Sequence, residues 1–147
     1  MMRIEYRKAS LGLLLVLLCL LLAACQSSAE NAAVKVDIDL TKMSDTMRYS
    51  YAYNLVYGEP EKNLGKVVKI SGTYMTSYYE PTDQYYNYVV LGDVTGCCSM
   101  GVEFIFDEAL GELPPEESQV EVIGTFTSYE ELGYTYYCLE ASSVKAL

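Results

Sequence analysis

The sequence predicts a mainly β fold, a small closed barrel of five strands preceded by one α-helix. Three observations carry this reading. After Leu64 the chain holds five segments of alternating apolar and polar residues separated by turn residues, the period-two pattern of half-buried strands. Two of them, Ile70-Ser71-Gly72-Thr73-Tyr74 and Val122-Ile123-Gly124-Thr125-Phe126, echo one another, and each places a glycine mid-strand. A glycine there lets a strand coil sharply or another backbone approach closely. Ahead of them, Met43, Met47, Tyr51 and Leu55 recur every four residues, as on one face of a helix.

Residues 33–40 (AVKVDIDL) alternate at Val34, Val36, Ile38 and Leu40 and are expected as a short strand or extended lead-in. The helix is expected over about 44–57. Ser44 is its N-cap, Ala52 and Val56 widen the apolar face, and Gly58 and Pro60 end it. The first barrel strand turns Val68, Ile70, Gly72 and Tyr74 to one side, and residues 75–84 are expected as a loop. A second strand runs through 86–91, and Gly92, Asp93 and Gly96 mark a turn before a third strand at 102–106. Residues 107–117 (DEALGELPPEE) read as an acidic connection with at most one helical turn. The fourth strand alternates at Val120, Val122, Gly124 and Phe126, and the fifth runs from Tyr134 to about Val144. A five-stranded oligonucleotide/oligosaccharide-binding (OB) barrel suits this order. Its first strand belongs to both halves and pairs with the fourth, where matched glycines make geometric sense.

The N-terminus reads as an address. Arg3, Arg7 and Lys8 precede the apolar run 11–22 (LGLLLVLLCLLL). A basic start followed by ~7–15 apolar residues is a secretory signal. The run falls short of the ~20 residues that a spanning helix needs. It ends in Leu22-Ala23-Ala24-Cys25, which resembles the lipobox of bacterial lipoproteins. Residues 1–24 are therefore expected to be cleaved and Cys25 to be lipidated, with 25–32 a lipidated cysteine and polar tether and 33–147 one OB-like domain. The expected location is the extracytoplasmic face of the cell membrane, held by acyl chains such as palmitate.

Composition excludes several functions. The chain has no His, which removes Ser-His-Asp and Cys-His catalysis and His metal ligands. Beyond residue 24 there remain 19 acidic and 7 basic residues. Such a domain is repelled by nucleic acid and by anionic lipid, so the anchor must supply membrane contact. No nucleic-acid partner and no catalytic residue are expected, and composition points to no particular cofactor.

Two residue types stand out. With Cys19 in the signal and Cys25 lipidated, Cys97, Cys98 and Cys138 remain in a compartment that permits disulfides. Three arrangements compete. Cys97 or Cys98 pairs with Cys138, or all three pack as small apolar groups. Alternatively, the adjacent Cys97-Cys98 pair is redox-active or forms a ligand-closing vicinal disulfide. In the third, the thiolates bind a soft metal such as zinc or copper(I), with Asp93 or Glu103 as a further ligand. Tyrosine is the second oddity, with 15 in the chain. Most read as barrel packing, but Tyr78, Tyr79 and Tyr85 fall between strands one and two, and Tyr129 and Tyr134 between strands four and five. Those two connections line the binding face of an OB barrel. Backed by Glu80, Asp83, Glu130 and Glu131, they suit a sugar, a cationic peptide or another envelope protein.

Several segments taken together resemble a known family. They are Asp39-Leu40-Thr41-Lys42-Met43-Ser44, Thr46-Met47, Leu64-Gly65-Lys66-Val67-Val68, Asp93-Val94-Thr95-Gly96-Cys97-Cys98, Gly101-Val102-Glu103-Phe104 and Val120-Glu121-Val122-Ile123-Gly124-Thr125-Phe126. The family is one of small bacterial OB-like lipoproteins with a D-x-T-x-C-C-x-x-G-x-E-F segment. The resemblance spans roughly 37–143. It implies the fold and an envelope location, and it carries over no catalytic residue.

Overall fold

Among the described residues the alternating segments form six strands, five of which build the barrel: β1 (Ile38–Asp39), β2 (Val67–Tyr79), β3 (Gln84–Gly92), β4 (Ser99–Ile105), β5 (Gln119–Glu131) and β6 (Tyr134–Ala146). The structure, a computed structural model, describes residues 34–93 and 95–147. The expected signal peptide, Cys25 and the whole of the tether lie outside the described residues. The strands pair in the order β2-β3-β4-β6-β5, and β5 returns to β2 and closes the ring. The barrel contacts are antiparallel except β4–β6, which is parallel. The short β1 adds in parallel to β2 through Ile38↔Val68 and Asp39↔Lys69. The chain thus forms a small OB-like barrel of five strands, with one extra strand and one helix.

β2 serves both halves of the barrel. Its first part pairs with β5 as far as Thr73↔Gln119, and its second pairs with β3 from Thr73↔Val90 onward. Gly72 sits at this change of partner, and a Cβ there would lie 2.5 Å from the Val90 carbonyl oxygen. Gly124 sits where the β5–β6 register shifts, and its Cβ would lie 2.6 Å from the Glu140 carbonyl oxygen. The two glycines do not face each other; Gly72 opposes Val120 and Gly124 opposes Val68. Each admits a close backbone at its own bend.

The inward residues are those that alternation selects. Val68, Ile70 and Tyr74, Val89 and Leu91, Val102 and Phe104, Val120, Val122 and Phe126, and Leu139 form one buried cluster. Burying each large aliphatic or aromatic side chain contributes roughly 1.5–3 kcal/mol. Ile38, Leu40, Ala52 and Leu55 join this cluster from the N-terminal segment.

Three expectations need correction. The lead-in 33–40 is strand only at Ile38–Asp39 and then tightens into a 3-10 turn, Leu40–Lys42, which Asp39 caps by accepting from the Thr41 amide at 3.1 Å. The helix α1 (Asp45–Tyr53) continues as a wider π turn, Asn54–Gly58, but only part of the expected Met43-Met47-Tyr51-Leu55 stripe faces the barrel: Leu55 and Met43 pack on the core and the other two do not. Met47 is 61 % exposed and Tyr51 38 %, whereas Ala52 and Leu55 are fully buried, flanked by Tyr49 and Val56. The face centred on Ala52 lets the backbone come close to the barrel, which a methionine or tyrosine stripe does not. Finally, 75–84 is not a loop. β2 and β3 stay paired to Tyr79↔Gln84, which leaves a turn at residues 80–83. Among the described residues no helix is long and apolar enough to cross a membrane.

Candidate functional site

The two hairpins run on past their neighbour β4. β3 leaves β4 after Asn87↔Phe104, and β6 joins β4 only from Glu103↔Cys138. The free stretches of β2–β3 and β5–β6 flank a groove of about 240 Å³ on the outer face of the barrel. Five tyrosines (Tyr79, Tyr86, Tyr88, Tyr129, Tyr136) line it, together with Ser77, Glu103 and Glu131. Period-two geometry brings them together, because Ser77 and Tyr79, Tyr86 and Tyr88, and Tyr129 and Glu131 are each two apart on one strand. Tyr129 and Tyr136, opposite in register, stack at 5.5 Å, and Tyr79 meets Tyr86 edge-on at 6.5 Å.

Glu103 stands at the centre. It opposes Tyr88 on β3 and Cys138 on β6. Its carboxylate accepts from the Tyr129 hydroxyl at 2.9 Å and 3.1 Å. Burial pushes its pKa up, a shift that the Tyr129 hydrogen bond opposes and nearby Glu131 reinforces. Burial also raises Tyr88 to about 12, with the Glu103 charge adding to it. It raises Tyr129 well above the ordinary phenol value, helped by the hydroxyl's bond to Glu103. Glu131 accepts from Tyr86 at 2.7 Å, which links the two hairpins across the groove. Gly101 makes room on β4: a Cβ there would lie 2.9 Å from the Tyr88 ring.

Two further depressions adjoin the groove, and both include Glu103. One, of about 680 Å³, is bounded by Tyr57, Glu61, Tyr134 and Tyr137; the other, of about 470 Å³, by Tyr85, Asn87 and Phe106. Among the described residues no lysine or arginine lines any of the three.

Of the tyrosines singled out from sequence, Tyr79 and Tyr129 enter the groove. All five lie on strands rather than in loops. Tyr78 and Tyr85 pair with each other at 5.1 Å outside the groove, where Tyr78 donates to Asp83 at 2.8 Å. Tyr134 lines the larger depression. Sequence reasoning missed Tyr86, Tyr88 and Tyr136. The available signal was spacing: Tyr86 and Tyr88 lie two apart on β3, and Tyr136 lies two beyond Tyr134.

The thiols divide. Cys138 is fully buried between Glu103 and Thr127 in register, and burial raises its pKa to about 12. Cys97 and Cys98 are exposed in the β3–β4 turn. Glu103, the register partner of Cys138, lies five residues beyond Cys98, roughly 16 Å along a strand. A disulfide needs Cα atoms within ~7 Å, so a staple from Cys98 to Cys138 does not fit, and Glu103 is no ligand for the turn. Asp93 is the acid beside the pair. Its Oδ1 accepts from the Cys97 and Cys98 amides at 3.1 Å and 3.3 Å, and its Oδ2 accepts from the Thr95 hydroxyl at 2.7 Å. The Thr95 bond is the largest of the effects that hold the Asp93 pKa below the ordinary carboxylate value.

No protein-family model matches this chain, and no curated protein matches it.

Proposed function

We propose that the protein is a non-catalytic binding module, lipid-anchored through Cys25 on the extracytoplasmic face of the membrane, whose tyrosine groove takes the ammonium groups of a cationic peptide or protein segment. One observation carries the reading: five tyrosine rings and two carboxylates line a groove that contains no basic side chain. Aromatic faces attract ammonium groups by ~0.5–2 kcal/mol, more where water is excluded. Glu103 and Glu131 add full negative charge when ionised. The same charges disfavour the phosphates of nucleic acid, the usual ligand of this barrel type. The N-terminal signal with its lipobox, and the resemblance to OB-like lipoproteins, support the envelope location.

The test is calorimetric titration of the full chain, in detergent, with a short lysine-rich peptide and its fully acetylated counterpart. The parent is expected to bind the charged peptide, and Glu103→Gln and Tyr129→Ala to weaken it. Equal binding of the acetylated peptide, or no effect of either substitution, overturns the proposal. Circular dichroism establishes that the variants are folded.

A further inference from the structure

We infer that the β3–β4 turn is a zinc(II) site, with Cys97 Sγ, Cys98 Sγ and Asp93 Oδ2 as ligands and a fourth position open to water or an external donor. One ligand atom from each of the three residues lies within 4.8 Å of the others. The spacings match a tetrahedral ion. With Zn–S ~2.3 Å and Zn–O ~2.0 Å, two ligands on one zinc are separated by ~3.5 Å for sulfur and oxygen and ~3.8 Å for two sulfurs. Cys97 Sγ lies 3.5 Å from Asp93 Oδ2 and 3.5 Å from Cys98 Sγ. A small opening of the sulfur pair brings it to the tetrahedral spacing, and the Cys98 sulfur lies within 4.8 Å of the Asp93 carboxylate.

The scaffold sets the carboxylate before any ion arrives. Asp93 Oδ1 is held by two backbone amides of the same turn, and the Asp93 amide donates to the Cys98 carbonyl at 2.8 Å. Oδ2 is thereby turned towards the thiols. The Thr95 hydroxyl lies 2.7 Å from Oδ2 and 3.0 Å from Cys97 Sγ, placed to steady whichever ligand it donates to. None of the ion pairs among the described residues involves Asp93. Binding releases one proton from each thiol, and the two thiolates and the carboxylate outweigh the dication by one negative charge. Two sulfurs with one oxygen suit zinc, which accepts both donor types, better than copper(I), which favours an all-sulfur set. The turn lies at the opposite end of β3 from the groove hairpin, so this inference stands independently of peptide binding.

The experiment uses the full chain, purified in detergent under reductant. Zinc is titrated against a chromophoric chelator, and cobalt(II) serves as a spectroscopic probe. One zinc per chain is expected, with thiolate-to-cobalt charge-transfer bands. Cys97→Ser/Cys98→Ser is expected to abolish both signals, Thr95→Val to weaken zinc by roughly 10–100-fold, and Cys138→Ala to leave both in place. All of these variants except Cys138→Ala change exposed turn residues, so circular dichroism should match the parent. Zinc affinity unchanged in the double variant, cobalt spectra without thiolate bands, uptake of copper(I) but not zinc, or a Cys97–Cys98 disulfide in protein isolated with zinc present would each overturn the inference.

Discussion

Glu103 is the residue on which stability and binding meet. Its folded pKa lies above the ordinary 4.5 because burial disfavours the charge. The folded protein therefore holds this proton more tightly than the unfolded chain does. Stability is lost as pH rises from about 4.5 through the raised value. Glu103→Gln removes that loss, so its melting temperature is expected to exceed the parent's near pH 7, with the difference shrinking as pH falls below the ordinary glutamate value. Peptide binding should run the other way and strengthen as Glu103 ionises. Thermal scans and titrations across the same pH series check both signs. The buried Cys138, with its thiol at about 12, is expected to stay unalkylated in the native state while Cys97 and Cys98 react. Denaturation should expose all three, as read by intact mass.

At the scale of elements, the bends and the helix face carry the predictions. A methyl at Gly72 or Gly124 meets a backbone carbonyl, not a movable side chain. Gly72→Ala and Gly124→Ala are each expected to cost about 1–3 kcal/mol of unfolding free energy in denaturant titration. The helix tests its own orientation. Leu55→Ala removes a fully buried side chain and should cost about 2–5 kcal/mol, whereas the exposed Met47→Ala should stay within about 0.5 kcal/mol. Equal losses at the two sites would restore the stripe expected from spacing. That stripe misled because methionine and tyrosine count as apolar in a periodicity whichever way they face. Contact with the barrel keeps Leu55 and the Ala52–Val56 flank of that stripe and leaves Met47 and Tyr51 outward. The β2–β3 hairpin is longer than the pattern predicts for a related reason: Thr76-Ser77-Tyr78-Tyr79 and Gln84-Tyr85 are polar enough to pass for loop, yet cross-strand tyrosine pairs hold them as sheet.

At the scale of the whole molecule, the proposed anchor and the net charge each carry a prediction. Cys25→Ser is expected to abolish acyl labelling and to shift the protein out of the membrane fraction, read by metabolic labelling and fractionation. With 19 acidic against 7 basic residues beyond residue 24, a lysine-rich peptide is expected to be drawn by the field of the whole domain as well as by the proposed groove. Its affinity should fall as salt rises across the Debye range, while the tyrosine contribution persists.

The sequence by itself determined the barrel, its five strands and their inward residues. Each of these is a local pattern: alternation and turn residues are written in neighbouring positions. The tertiary structure decided which tyrosines share a groove, that Glu103 belongs with Tyr129 and Cys138, and that Asp93 is the acid beside Cys97 and Cys98. The first two relations depend on strand register, which brings together residues 26 apart, as for Tyr129 and Glu103, whereas the Asp93 relation is set by how the turn folds back on itself. A one-residue slip would send each strand's side chains to the opposite face with little change in the local pattern.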